Sequence, residues 1–319
     1  MEYLPWIEKY RPTHINEIVY HHQIIDTIKK LIKSDILPHL LFYGPPGTGK
    51  TSTIMAIANE IYGNNIRLMI MKLDASDDRG INSVREDIKG FADKTNMFIQ
   101  GVKLIILDEA DSMTVDAQFA LRRIIEKYSE TLRFCLICNY ENKIIPAIKS
   151  RFSNFRFGYI NDENIFNRLS FIAKNENINI TNDAINLITK ISKGDLRKAI
   201  NLLQTINMQT NTMDLDICYK LSGIPYTKDI INILNTLDDS NKLYKDKYNL
   251  IYNFLNNENN NYSLHILIKE IFNYIIETNN KFFNPIIISK LANLENMILK
   301  NTNNDIYISG LINIFINFN

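Results

Sequence analysis

The sequence predicts an α/β protein: a parallel-sheet domain with helices on both faces, then a small helical domain, then an all-α C-terminal domain. Three observations carry this. Short apolar runs alternate with amphipathic helical stretches up to about residue 158. A glycine-rich loop of the phosphate-binding type fills the first strand-to-helix turn. From residue 161 only helical periodicity remains.

The first strand, Leu40-Leu41-Phe42-Tyr43, runs directly into Gly44-Pro45-Pro46-Gly47-Thr48-Gly49-Lys50-Thr51, which reads G-x-x-x-x-G-K-T. Glycine lets the backbone turn its N–H groups toward an anion with no Cβ in the way. The helix that follows, 50–62, points its positive dipole end at the same anion and is closed by Gly63. Lys50 is placed to reach the β- and γ-phosphates, and Thr51, followed by Ser52, to offer a hydroxyl to Mg²⁺. A ligand-free turn is the alternative; the flanking strand and helix weigh against it.

A strand at 68–73 and a helix at 81–93 precede the strongest strand, 102–107. Asp108-Glu109-Ala110-Asp111 follows at once. A carboxylate there, one strand removed from the phosphate loop, can hold Mg²⁺ (Asp108), and its neighbour can activate water (Glu109). Acidic tetrapeptides also cap helices, so the pairing with the loop gives the motif its weight. A helix at 114–128, with Asp116 near its start, leads to the strand 134–138, which ends at Asn139. That amide can bond both the γ-phosphate and the water; a turn-forming role is the other reading. A short helix at 143–150 and a last strand at 155–157 complete the sheet domain.

Helices at 164–174, 182–193 and 196–204 make the second domain, with Thr181 and Gly194 as start and stop signals of the middle one. Ser222-Gly223-Ile224-Pro225 reads as a hinge. Beyond it the chain is helical, with long periodic segments at 263–277 and 285–300 and an asparagine-rich loop at 256–261. The domain bounds are therefore 1–158, 159–223 and 226–319. No internal repeat is visible.

Arg197, near the start of a helix in the second domain, can reach back to a nucleotide; a solvated charge is the alternative. Arg151 ends the sheet domain on the far side, badly placed for its own site and well placed to serve a neighbour's.

The 319 residues carry 45% apolar and 22% charged side chains and a net charge of +1, so any nucleic-acid contact must come from a local patch. Three cysteines make no disulfide framework, and Cys135-x-x-Cys138 lies inside a strand, where buried thiols are expected. Residues 1–11 hold no signal-peptide core and no apolar stretch reaches spanning length, so a soluble intracellular protein with no membrane partner is expected.

With these residues in order the chain resembles the AAA+ ATPases, and more closely the small subunits of the sliding-clamp loader, replication factor C. The match is carried by Trp6-Ile7-Glu8-Lys9-Tyr10-Arg11-Pro12, the 44–51 loop, Asp74-Ala75-Ser76-Asp77-Asp78-Arg79-Gly80-Ile81 and the acidic motif. Ala120-Leu121-Arg122-Arg123, Ile144-Ile145-Pro146, Ser150-Arg151 and Gly194-Asp195-Leu196-Arg197 complete it. The resemblance implies a RecA-like sheet domain, a helical lid and a C-terminal collar that joins five subunits. It implies an ATP-driven, nuclear loader that opens a ring-shaped clamp and threads it onto primer–template DNA. It assigns adenine contacts to Ile7, Tyr10, Arg11 and Val19, the sensor roles to Asn139 and Arg197, and a trans-acting finger to Arg151.

The family's serine–arginine–cysteine motif reads Ser150-Arg151-Phe152 here, which keeps the charge and leaves the packing of the loop in question. For DNA, Arg79, Arg85 and Lys89 lie on or before the helix expected to face inward, Arg85 foremost, although an ordinary surface charge explains each of them better. For the clamp, Met97-Phe98-Ile99 is an apolar cluster that core packing would explain equally well. Two other functions stay open: an ATP-binding scaffold with little turnover, and another AAA+ DNA-remodelling ATPase. The second would ordinarily add a strand-containing DNA-reading module, which the helical tail does not offer.

Overall fold

The computed structural model describes residues 4–18, 20–34, 37–75, 80–94, 101–209, 212–257, 262–299 and 304–316. The chain divides into two compact units, residues 1–208 and 209–319.

The first unit is built on a five-stranded parallel sheet of order β2-β3-β4-β1-β5. The strands are β1 Leu40–Tyr43, β2 Ile70–Asp74, β3 Lys103–Asp108, β4 Leu132–Cys138 and β5 Ser153–Arg156. Side chains alternate between faces along a strand, and here both faces are covered. Leu41, Ile105, Leu107, Phe134 and Leu136 share one core with Ile88, Leu121 and Ile125. The intervening Leu40, Phe42, Leu104, Ile106 and Cys135 are equally buried. Apolar residues in both phases explain why the strands read as continuous runs rather than as alternation.

The helices of this unit are α1 Trp6–Lys9, α2 His22–Lys33, α3 Lys50–Tyr62, α4 Ile66–Met69, α5 Gly80–Asp93, α6 Val115–Lys127 and α7 Pro146–Lys149. After them come α8 Asp162–Asn175, α9 Asn182–Ser192 and α10 Leu196–Gln209. Thr114 and Thr181 cap α6 and α9 as donors' partners, their hydroxyls accepting from the N–H groups of Ala117 and Ala184.

Some boundaries differ from the sequence reading. The expected helix at 143–150 is only Pro146–Lys149. Proline holds Ile145 extended (φ −63°, ψ 144°), so Glu141–Lys143 forms a separate 3₁₀ turn. The strand expected from 68 starts at Ile70, because Ile66–Met69 first completes a helical turn. β5 begins and ends earlier than 155–157, since its register on β1 pairs Leu40 with Ser153.

The second unit contains α11 Leu215–Ser222, α12 Thr227–Asp238, α13 Tyr244–Leu255, α14 Leu264–Thr278, α15 Pro285–Ile298 and α16 Asn304–Ile316. Ile233, Ile251, Leu267, Ile271, Leu291 and Leu311 lie at the centre of its apolar core. The division between units falls at 208–209, so α11 goes with these helices rather than with α8–α10. Gly223, in the expected hinge, caps α11 in the left-handed region at φ 68°. Of the asparagine-rich run, residues 258–261 lie outside the described residues.

Candidate functional site

The carboxyl ends of β1, β3 and β4 open onto one cleft in the first unit. β4 lies between β1 and β3, which brings the phosphate loop after β1 and the acidic motif after β3 to either side of Asn139.

The loop needs its glycines. Gly44, Gly47 and Gly49 have φ of 140°, 70° and 90°. A Cβ on Gly47 would sit 1.7 Å from Asp195 Oδ1, and one on Gly44 would sit 2.0 Å from Phe157 O. Lys50 opens α3 and is only 7% exposed. Its ammonium donates to Gly44 O and Pro45 O, each at 2.7 Å, and to Asn139 Oδ1 at 3.1 Å. Burial pushes its pKa down to about 8. All three hydrogen-bond acceptors are uncharged, so this buried cation at a helix start suits an incoming phosphate.

Across the cleft Thr51 Oγ1 donates to Asp108 Oδ2 at 3.2 Å. Lys72 of β2 reaches the same carboxylate oxygen at 3.4 Å. The Thr51 hydroxyl and the Asp108 carboxylate are the oxygen donors that Mg²⁺ takes beside nucleotide phosphates. Among the described residues no cluster of three or more His, Cys, Asp or Glu could hold a metal by itself. Such an ion would draw its remaining ligands from phosphate and water.

Glu109 lines the cleft, exposed, with a left-handed backbone at φ 53°. That conformation is uncommon for a residue with a Cβ, and here it turns the chain from the end of β3 into the 3₁₀ turn Ala110–Ser112. Asp111 takes the N–H groups of Asn139 (3.2 Å) and Tyr140 (3.1 Å), which fixes the end of β4.

The remaining wall comes from the N-terminal segment and the helices after the sheet. Ile7, Tyr10 and Arg11 line the cleft with Pro46, Gly47, Thr48, Gly49, Thr51 and Ser52. Arg197 lines it too, near enough to Lys50 to depress its pKa further. The N–H of Leu196 donates to Gly47 O at 3.2 Å, so the start of α10 is bonded to the phosphate loop. Tyr10 is held at both ends by α8 and its cap: Arg168 donates to its carbonyl and its hydroxyl donates to Glu176, both at 2.5 Å. Burial and the Glu176 carboxylate push the Tyr10 phenol up to about 12.

Gly44 and Pro45 contribute carbonyls to Lys50 rather than cleft wall. Arg151 does not line the cleft. It is exposed, pairs with Glu126 at 2.8 Å, and Glu126 in turn takes Arg122 at 3.0 Å. Phe152 turns inward, 7% exposed and 5.3 Å from the His39 ring, so the family departure is absorbed by the core while the arginine stays outside. Val19, Arg79, Met97 and Phe98 lie outside the described residues. Arg85 falls on α5, its side chain outside the described set, and Lys89 is exposed on the same helix. Cys135 and Cys138 are buried thiols, with burial pushing Cys138 up to about 12.

Sequence reasoning missed Tyr20, Asp74, Cys138, Arg168 and Ile200, which also line the cleft, and Lys72 and Glu176 beside it. Asp74 carried a signal, since it directly follows the apolar run 68–73 and opens the 74–81 string; the structure pairs it with Asp108. Arg168 and Glu176 carried none, because helical periodicity marks them only as surface charges.

The ATPase family associated with various cellular activities (AAA) matches residues 40–158, and the RCF1/5-like, AAA+ ATPase lid domain matches residues 167–208. The chain is 42% identical over 314 residues to human replication factor C subunit 5, covering 98% of this chain and 91% of that protein. It is 50% identical over 234 residues to replication factor C subunit 3 of Schizosaccharomyces pombe, covering 73% and 68%. Replication factor C subunit 3 of Saccharomyces cerevisiae is 44% identical over 241 residues, covering 74% of this chain and 71% of that protein, so the relatives carry the subunit numbers, five in human and three in yeast, that the residues around Asn139 and Pro146 suggest. Among solved structures, the RuvB Holliday junction branch migration motor of Thermotoga maritima aligns with a TM-score of 0.54 at 16% identity, covering 77% and 80%. At that identity the likeness is one of fold.

Proposed function

This chain belongs to the replication factor C small subunits, a family of AAA+ ATPases, and we propose that it is an ATP-hydrolysing subunit of the pentameric sliding-clamp loader. In this reading it helps to open the ring-shaped clamp and load it on primer–template DNA in the nucleus. Residues 1–158 bind nucleotide, α8–α10 act as the lid, and the C-terminal helices join it to the other loader subunits.

The observation that carries the reading is the buried Lys50 ammonium, bonded among the described residues to neutral acceptors from the phosphate loop and from Asn139. Lys50 and the loop N–H groups hold the β- and γ-phosphates. Thr51 and Asp108 hold Mg²⁺, which supplies Lewis-acid polarisation of the phosphate oxygens when bound. Glu109 accepts a proton from the attacking water, and Asn139 orients that water. Ile7, Tyr10, Arg11 and Val19 surround the adenine, and Arg197 reads the triphosphate from the lid. Arg151 serves the neighbouring subunit's site, which is consistent with its absence from its own cleft. Arg79, Arg85 and Lys89 track the DNA backbone, and Met97 and Phe98 touch the clamp.

The test is ATP turnover and clamp loading by the reconstituted pentamer carrying Lys50→Ala or Glu109→Gln. Loss of turnover at this site in both variants is expected. Unchanged turnover and unchanged loading would make the chain a scaffold that lends Arg151 and hydrolyses little ATP itself.

A further inference from the structure

Lys72 has no part in the reading above, yet its ammonium reaches the Asp108 carboxylate, which that reading assigns to a divalent cation. β2 and β3 are parallel and pair Lys72 with Ile106, so Asp108 is the next residue on the same face. A long side chain on β2 spans that offset, and Lys72 Nζ comes to 3.4 Å from Asp108 Oδ2. That same oxygen accepts from Thr51 Oγ1, and Asp108 Oδ1 accepts from the Glu109 N–H at 3.2 Å. Both carboxylate oxygens are therefore occupied, and the cation on Oδ2 is a lysine.

We propose that Lys72 is the resident counter-cation of Asp108 and competes with the divalent cation for that carboxylate, which makes it a positioning residue of the metal site. The inference rests on the nucleotide reading of the same cleft. Lys72 keeps the Asp108 carboxylate aimed at Thr51 while no metal is present, and yields when a doubly charged ion arrives with a nucleotide. The Lys72 side chain is 46% exposed and that of Asp108 20%, so the ammonium can withdraw into water at small cost. A fully buried lysine could not withdraw in this way.

The experiment uses the full chain, Mn²⁺ as the paramagnetic probe and a slowly hydrolysed ATP analogue, with bound Mn²⁺ read by electron paramagnetic resonance. Lys72→Met keeps most of the stem and removes the charge; Lys72→Arg keeps the charge. At low ionic strength Lys72→Met is expected to bind nucleotide-dependent Mn²⁺ about two- to fivefold more tightly than wild type. Lys72→Arg should stay near wild type, and the gain should shrink as salt is added. Nucleotide affinity measured in EDTA should be the same for all three chains.

Equal Mn²⁺ affinity in wild type and Lys72→Met would overturn the proposal while leaving the nucleotide site intact. Weaker nucleotide or Mn²⁺ binding by Lys72→Met would also overturn it, because Lys72 would then be a phosphate ligand. A wild-type chain that binds nucleotide but no Mn²⁺ removes the metal site and this inference with it. A wild-type chain that binds no nucleotide sinks the reading on which both stand.

Discussion

Lys50 Nζ donates to Asn139 Oδ1 at 3.1 Å, so the phosphate loop and the end of β4 are bonded through two residues 89 positions apart. Asn139 is itself held by its N–H on Asp111. The amide is thus fixed before any nucleotide arrives, as electrostatic preorganisation requires. Asn139→Ala is expected to lower kcat about 10²-fold in the assembled complex. Nucleotide affinity should change by less than about fivefold, because two carbonyls still hold Lys50. Steady-state turnover and equilibrium nucleotide binding on the same preparation separate the two effects.

Nucleotide binding should weaken as pH rises above about 8, the pKa to which burial lowers Lys50. Below that value Lys50 is already charged and binding is insensitive to it. Above it the free protein must take up a proton on binding, because bound phosphate favours the ammonium. Stability runs the other way. The lowered pKa is a penalty fully present below pH 8, and it is relieved between about 8 and the ordinary lysine value of 10.5. Calorimetric binding at pH 9 in buffers of different ionisation enthalpy should report proton uptake that vanishes at pH 7. Lys50→Arg should show none at either pH.

Gly47→Ala is expected to destabilise the first unit by about 1–3 kcal/mol. Its φ is 70°, and the new methyl group would fall 1.7 Å from Asp195 Oδ1. To make room Asp195 must leave the N–H of Lys198, which it now accepts at 3.1 Å near the start of α10. Adding Asp195→Ala should recover the steric part and not the backbone part, so the two substitutions will not be additive. Urea unfolding of the four chains in the cycle measures this.

Tyr10 and Glu176 should show a coupling of about 0.5–1.5 kcal/mol in a double-mutant cycle of Tyr10→Phe and Glu176→Gln. The phenol donates to a carboxylate at 2.5 Å, and Lys9 shares that carboxylate at 2.6 Å. Burial would raise the Glu176 pKa, yet these two donors outweigh it and hold the carboxyl below its ordinary value. Its share of stability is therefore complete above the usual carboxylate range and is lost as pH falls through the lowered pKa. Thermal unfolding should show the wild-type advantage over Glu176→Gln at pH 7 shrinking toward pH 3.

By itself the sequence determined the parallel α/β class, the phosphate loop, the acidic motif after β3, Asn139 and the family. Each of these is assembled from local signals, a strand with its turn or helix start within a dozen residues, where periodicity and glycine placement act directly. Only the tertiary structure decided which distant residues share the cleft. Tyr10 and Glu176 are 166 positions apart, and Arg168 and Tyr10 are 158 apart. Lys72 meets Asp108 through a strand register, and Phe152 goes inward because a core was waiting beside His39. Sequence periodicity tells which face of an element is buried. Which other element covers that face is fixed by strand order and packing, and those arise only when the whole chain competes to remove its apolar surface from water.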